Sequence, residues 1–180
     1  MELLQNKLKT TSRAYSVALL IFALYHVWAA SGSINALVWL FSDPGNALAR
    51  LGLPTAGFEN QPLGWWKWLF FIQLLSLAVY AATQFAGFSA FRGIANTGEP
   101  FSPPIVRKLK IMVWLMVANI PLHAVCGYMA ASVSPTLMGN SRITAISATA
   151  SGVMDVLTFF ALVSIFQYGA RLQQLSDETL

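Results

Sequence analysis

Four long segments of the chain carry almost no charge, and they restrict its fold more than any other feature of the sequence. They cover residues 14–30, with an apolar continuation to 41, then 68–91, 111–133 and 148–168. About 20 apolar residues, at a rise of about 1.5 Å each, cross a hydrocarbon layer about 30 Å thick, so each segment is long enough to span a bilayer. Only 10% of the residues are charged, against about 25% in an ordinary soluble domain.

The sequence therefore predicts an all-α polytopic membrane protein, a single domain of residues 1–180 that forms a four-transmembrane-helix bundle. The spans are expected near residues 14–34, 66–91, 108–131 and 148–170. The first is not typical of a cleavable signal, because its apolar run is long and three more spans follow it. SGSIN at 31–35 is a weak point at which this helix can kink or end. A short helix is expected near residues 46–51.

Basic residues are distributed unevenly between the two sides of such a bundle. Eight flank the N-terminus, the loop between spans two and three, or the end of span four: Lys7, Lys9, Arg13, Arg92, Arg107, Lys108, Lys110 and Arg171. Only Arg50, Lys67 and Arg142 flank the other side. The positive-inside rule then places both termini and the central loop in the cytoplasm, as expected for a multi-pass protein of the bacterial inner membrane. These flanks form no basic stripe interleaved with aromatic residues, so direct nucleic-acid binding is not predicted.

The loop between spans two and three, GEPFSPPIVRKLK at 98–110, concentrates turn and helix-start signals. Gly98 tolerates positive φ, and Pro100 ends the preceding helix. Ser102 is a favourable N-cap with a proline after it, so a helix is predicted to begin at residue 103. Two interpretations stay open. The loop is either a helix start with an anionic-lipid anchor, or a docking surface through which Glu99 and the basic residues meet a cytoplasmic partner.

Together with the tail FQYGARLQQLSDETL, this loop resembles the bacterial membrane proteins catalogued as domain of unknown function 2975. The resemblance consists of a Gly-x-Pro-Phe-(Ser/Thr) turn before a basic helix start, and a Phe-x-x-Gly-x-x-Leu end of the last span. The acidic run usual at the C-terminus of that family is shortened here to Asp177 and Glu178. The resemblance implies four spans and no established activity. Some members are encoded beside small helix-turn-helix regulators, which implies a membrane partner of a transcription factor. The residues within the two motifs are Gly98, Glu99, Pro100, Phe101, Ser102 and Arg107 in the loop, and Phe166, Gly169, Arg171 and Leu172 in the tail.

Three histidine or carboxylate side chains lie deep inside the predicted spans, away from the basic residues at the span ends: His26, His123 and Asp155. A charge is costly at that depth. Counted at about 1.5 Å per residue from the expected cytoplasmic boundaries, they lie at a similar depth of about 20–22 Å. Asn119 lies one turn from His123 on the same helix face, and Pro121 between them loosens the backbone. We therefore treat His26, Asn119, His123 and Asp155 as an intramembrane polar layer.

Three roles stay open for the polar layer. Asp155 can hydrogen-bond a histidine and hold the helices together. A histidine paired with a carboxylate can act as a proton-linked or pH-sensing switch. His26 and His123 can also serve as axial ligands of haem b.

No catalytic residues are identified, because the chain has no HExxH motif, no Gly-rich phosphate loop and no confident Ser-His-Asp arrangement. The single Cys126 excludes an internal disulfide and a cysteine-based metal cluster. The sequence therefore favours a non-enzymatic accessory or regulatory subunit without a metal or resident cofactor. It would contact membrane lipids and another membrane or cytoplasmic protein, and it is compatible with oligomers. The alternative is a haem-binding or proton-linked redox or transport component that uses the polar layer.

Overall fold

The computed structural model describes residues 2–50, 62–133 and 141–178. Within these ranges the chain forms five helices, of which all but the second are long and apolar enough to cross a membrane. This confirms the prediction of an all-helical chain with four apolar segments of spanning length. Each predicted span lies inside one long helix, and each helix extends beyond its span at both ends. The helices are α1 (Glu2–Ser42), α2 (Ala47–Arg50), α3 (Leu63–Thr97), α4 (Pro103–Val133) and α5 (Ser141–Glu178).

The helix α1 has 41 residues, so it is about 60 Å long, twice the thickness of the hydrocarbon layer. It continues through the predicted weak point at 31–35 without a break. Ser31 donates its hydroxyl to the Trp28 carbonyl at 2.6 Å, which satisfies that side chain inside the helix. The helix ends at Ser42, two residues before Pro44, and the short helix expected near residues 46–51 is α2.

The loop between α3 and α4 has the backbone that its sequence predicts. Gly98 adopts a φ of 75° and its N–H donates to the Ile94 carbonyl at 2.8 Å, closing the end of α3. The next helix begins at Pro103, as expected. The Ser102 carbonyl accepts the first N–H groups of α4, from Ile105 and Val106 at 3.0 and 3.1 Å.

The long helices pack in chain order: α1 on α3, α3 on α4, and α4 on α5. Within the described ranges, no close backbone contact links α5 to α1 or to α3, so the helices form a row rather than a closed ring. Gly87 lies where the first three members of the row meet. A methyl group there would lie 3.1 Å from both Leu19 and Met112, so glycine permits a close approach.

Polarity in the described helices is inverted relative to a soluble protein. Large apolar side chains face outward, as with Trp28 at 71% exposure. The buried side chains include small polar ones: Ser12, Ser16, Ser33, Ser76, Thr83 and Asn119. Such an apolar exterior with hydroxyl and amide groups inside suits lipid as the surrounding solvent.

Two apolar clusters lie at different heights along the helix axes, one towards each end of the bundle. One joins α3, α4 and α5 through Ile94, Leu109 and Val163, near the loop 98–102. The other joins Leu40, Ala47 and Trp66 at the far end. The candidate site adjoins the first cluster: its lining residue Val156 is a member of that cluster, and Met116 and Ile120 pack against it.

Cations at the end of the helices opposite the loop 98–102 lie against aromatic rings. The Arg50 guanidinium lies 4.3 Å from the centre of the Trp39 ring and pairs with Asp43 at 3.3 Å. The Lys67 ammonium lies 4.0 Å from the centre of the Phe41 ring, so this side chain of α3 contacts α1. These contacts fasten α2 and the start of α3 to the end of α1.

Candidate functional site: a polar cavity on α4

A cavity of about 100 Å³ lies along α4, with α3 on one side and α5 on the other. It receives three members of the predicted polar layer, namely Asn119, His123 and Asp155. The volume is enough for a small number of water molecules, given about 30 Å³ for each in the liquid. The remaining lining residues are Tyr80, Thr83, Met116, Ile120, Gly152 and Val156.

The wall between α3 and α4 is fixed by a buried hydrogen bond. Ser76 donates its hydroxyl to Oδ1 of Asn119 at 2.9 Å, and the two residues are only 5% and 4% exposed. At this burial neither group has water as an alternative partner, so the bond fixes the register of the two helices at this point. This bond fixes the position of the Asn119 side chain at the edge of the cavity.

Tyr80 links the two histidines. Its ring stacks on His26 with the centroids 5.2 Å apart and the planes inclined by 20°. It meets His123 edge to face, with the centroids 6.4 Å apart. His26 is therefore not a lining residue of the cavity but lies behind one, on the α1 side.

The hydrogen bond of His26 indicates its tautomer. Nδ1 lies 2.7 Å from the Phe22 carbonyl, one turn earlier in α1. A carbonyl can only accept, so Nδ1 carries the proton in the neutral ring and Nε2 is left as an acceptor.

Asp155 and His123 line the same cavity from opposite helices, α5 and α4, and both are exposed. Among the described residues, no ion pair and no hydrogen bond join Asp155 to either histidine. The structure therefore does not contain the carboxylate–histidine hydrogen bond that the sequence suggested as a structural fastening. Beside the cavity, a hydrogen bond between Ser76 and Asn119 joins α3 to α4.

The arrangement does not fit haem held by His26 and His123. Both imidazoles contact the ring of Tyr80, and the cavity of about 100 Å³ is well below the roughly 300–1,000 Å³ of pockets for larger ligands. The cavity suits water and protons better than a macrocycle.

The two sequence motifs, in the loop 98–102 and in the last part of α5, contact each other. Phe101, in the loop, lies against α5 with its ring 5.4 Å from that of Phe166. A methyl group on Gly169 would come within 2.8 Å of Phe101 Cδ1, so only glycine leaves room for the ring. We call the contact of Phe101 with Phe166 and Gly169 the aromatic clasp.

The same loop also reaches the start of α1. A methyl group on Gly98 would lie 2.9 Å from both Gln5 Nε2 and Lys9 Cε. The beginning of α1, the loop and the last third of α5 therefore lie at the same end of the bundle along the helix axes, which we call the loop end. Other residues of the two motifs are exposed at this end: Glu99, Arg107, Arg171 and Leu172; Pro100 and Ser102 are partly buried.

Reasoning from the sequence missed Ser76, Tyr80 and Thr83. The sequence criterion was a histidine or a carboxylate inside a span, and none of these three residues is either. One signal was available, since residues 76, 80 and 83 follow the spacing of one helix face inside an otherwise apolar span.

Comparison of the chain with protein-family models, with curated proteins and with solved structures finds no match.

Proposed function

We propose that this chain is a non-enzymatic regulatory or accessory protein of the bacterial inner membrane, in which protonation of the polar cavity sets the position of α5. The loop end of the helices, which holds the loop 98–102, is the cytoplasmic end, and there the chain binds a protein partner. The observation that carries this proposal is that a single helix, α5, contributes residues both to the polar cavity and to the aromatic clasp. α5 carries Asp155 in the cavity and Phe166 and Gly169 in the aromatic clasp.

The electrostatics of the cavity give the direction of the response. Histidine is the side chain that ordinarily titrates near neutral pH. An imidazolium at His123 would attract the Asp155 carboxylate across the cavity, whereas a neutral imidazole would not. The other polar side chains that line the cavity are Tyr80 and Thr83 of α3 and Asn119 of α4. Acidification should therefore draw α5 towards α4.

The packing of α5 supports its role as the moving part. Among the described helices, its close backbone contacts are with α4 alone. The clasp lies 11 residues, or about 16 Å, further along α5 than Asp155. A tilt of α5 about its contact with α4 would therefore change how Phe101 and the loop are seated.

The distribution of charge supports the orientation. Lys9, Gly98 and Phe101 lie at the loop end of the helices, and the basic residues that flank the loop lie there too. An inner-membrane protein keeps its Lys and Arg excess on the cytoplasmic side. The exposed Glu99 and Arg107 then face the cytoplasm, where a partner can read them.

The pH response is tested by a distance measurement between α4 and α5 in nanodiscs. Nitroxide labels are placed at Tyr128→Cys and Met154→Cys, both exposed positions, in a Cys126→Ser background. We expect the distance to shorten between pH 8 and pH 5, and we expect His123→Gln to abolish the change. His26→Gln is the matched control and should keep it, because His26 does not line the cavity. An unchanged distance, or a change that survives His123→Gln, would count against the switch.

Partner binding is tested separately by chemical cross-linking in native membranes, followed by co-purification and mass spectrometry. A specific partner should be lost in the double variant Glu99→Lys, Arg107→Glu, which changes only exposed side chains. Recovery of the same proteins with the wild type and with this variant would refute the loop as the docking surface. A monomer recovered from both would refute the partner itself.

A further inference from the structure

A second hollow, distinct from the polar cavity, lies between α4 and α5 nearer the loop end. Its volume is about 290 Å³. We call it the α4–α5 groove; its lining residues are Lys110, Val113, Trp114, Phe160, Val163, Ser164 and Gln167. None of these belongs to the polar layer or to the aromatic clasp, and the proposed function does not use them.

Polar and apolar groups are separated along this groove. α4 and α5 run in opposite directions, so Lys110 and Gln167 both line the end of the groove near the loop. Trp114, one turn further along α4, and Phe160, two turns back along α5, form the other end. The groove therefore offers hydrogen-bond donors at its membrane border and an apolar surface deeper in the membrane.

The two neighbouring lysines of α4 differ in their contacts. Lys108 donates to the Ser89 carbonyl of α3 at 3.3 Å. Lys110 is exposed and has no hydrogen bond or ion pair within the described residues. No carboxylate lines the groove. A free cation beside a neutral amide donor, without a protein anion to neutralise it, matches an anionic ligand.

We propose that the α4–α5 groove binds a phospholipid with an anionic headgroup. Its phosphate lies at Lys110 and Gln167, and part of one acyl chain lies between Trp114 and Phe160. Basic pockets between spans bind anionic headgroups, and a lysine near a helix end reaches the headgroup level with its long stem. The volume admits a segment of chain rather than a bulky ligand. This lipid is a fixed component of the contact between α4 and α5.

Charge favours a lipid over a second copy of the chain. Copies inserted in one membrane share one orientation, so a neighbour would bring its own basic loop end to the level of Lys110. Like charges at that depth repel, whereas an anionic headgroup is attracted.

The test uses tryptophan emission of the full chain in nanodiscs of phosphatidylcholine. One preparation contains brominated phosphatidylglycerol and the other the same fraction of brominated phosphatidylcholine, since bromine quenches nearby tryptophans. We expect a larger loss of emission with the anionic lipid. The excess should disappear in Trp114→Phe and in Lys110→Gln, and it should persist in Lys110→Arg and in Arg107→Gln.

Two results would overturn the proposal. The first is equal quenching by the two brominated lipids, or an excess that survives Lys110→Gln. The second is a Trp114 contribution that neither lipid quenches, which is the result expected if a second copy covers the groove.

Discussion

The aromatic clasp provides the sharpest test of the packing at the loop end, through the substitution Gly169→Ala. A methyl group at this position would lie 2.8 Å from Cδ1 and 2.9 Å from Cε1 of Phe101. Carbon atoms in contact prefer about 3.5–4.0 Å, so the Phe101 ring has to move by roughly 1 Å. Displacing a packed ring in this way typically costs about 1–3 kcal/mol.

A second glycine of α5 serves as the matched control. A methyl group on Gly152 would meet nothing within 4 Å. Both substitutions replace glycine by alanine inside the same helix, which favours folding by about 0.8–1 kcal/mol. Because this gain is common to the two variants, the difference in their free energies of unfolding isolates the clash, and we expect Gly169→Ala to be the less stable by about 1–3 kcal/mol.

The free energies are measured by reversible unfolding in mixed micelles of mild detergent and dodecyl sulfate, followed by circular dichroism. The smaller side chain of Phe101→Leu should relieve the clash, so Gly169→Ala should cost less in that background than in the wild type. The reasoning would be refuted if Gly169→Ala stabilised the protein as much as Gly152→Ala does. It would equally fail if Phe101→Leu left the cost unchanged.

Three further sites of close contact are tested by the same unfolding assay. Ser76→Ala and Asn119→Ala, alone and together, should show a coupling of about 0.6 kcal/mol, the average for hydrogen bonds between membrane helices, and at most about 1.7 kcal/mol; additive effects would exclude the bond. Gly98→Ala should destabilise by more than 1 kcal/mol, since φ is 75° and a methyl group would crowd α1; Gly32→Ala, with nothing within 4 Å, should not destabilise. Gly87→Leu should destabilise strongly, because a methyl group alone would lie 3.1 Å from side chains of both α1 and α4; wild-type stability would contradict the close approach.

Local chemistry allowed much of the helical architecture to be predicted from the sequence. The start of α4 at Pro103 and the left-handed Gly98 follow from the preferences of those residue types. The full length of α1 was not predicted. Apolarity indicates where a membrane is crossed, whereas a helix ends only where a residue breaks it. The first proline after Met1 is Pro44, and the helix runs to Ser42.

The depth of the site residues along the helices could be predicted from the sequence, whereas the contacts between their side chains could not. Counting residues placed His123 and Asp155 at one level, and the structure brings them to one cavity. Counting cannot give the rotation of a helix about its axis, which decides whether side chains at one level meet. His26 therefore lies behind Tyr80, and the hydrogen bond between helices was formed by Ser76, a residue that the search for ionisable groups passed over.

The packing of the row explains why a polar cavity lies beside α5. Apolar burial drives helices together weakly in lipid, because the acyl chains are as apolar as the side chains they replace. The firm contacts here depend on geometry and hydrogen bonds: the close approach at Gly87 and the bond between Ser76 and Asn119, which join α1, α3 and α4. Those contacts leave α5 outside their reach. α5 is held by the clasp and by Val156 and Val163, which pack in the apolar cluster with α3 and α4. Its close backbone contacts are with α4 alone among the described helices, so a change of charge between Asp155 and His123 would act directly on the contact that seats it.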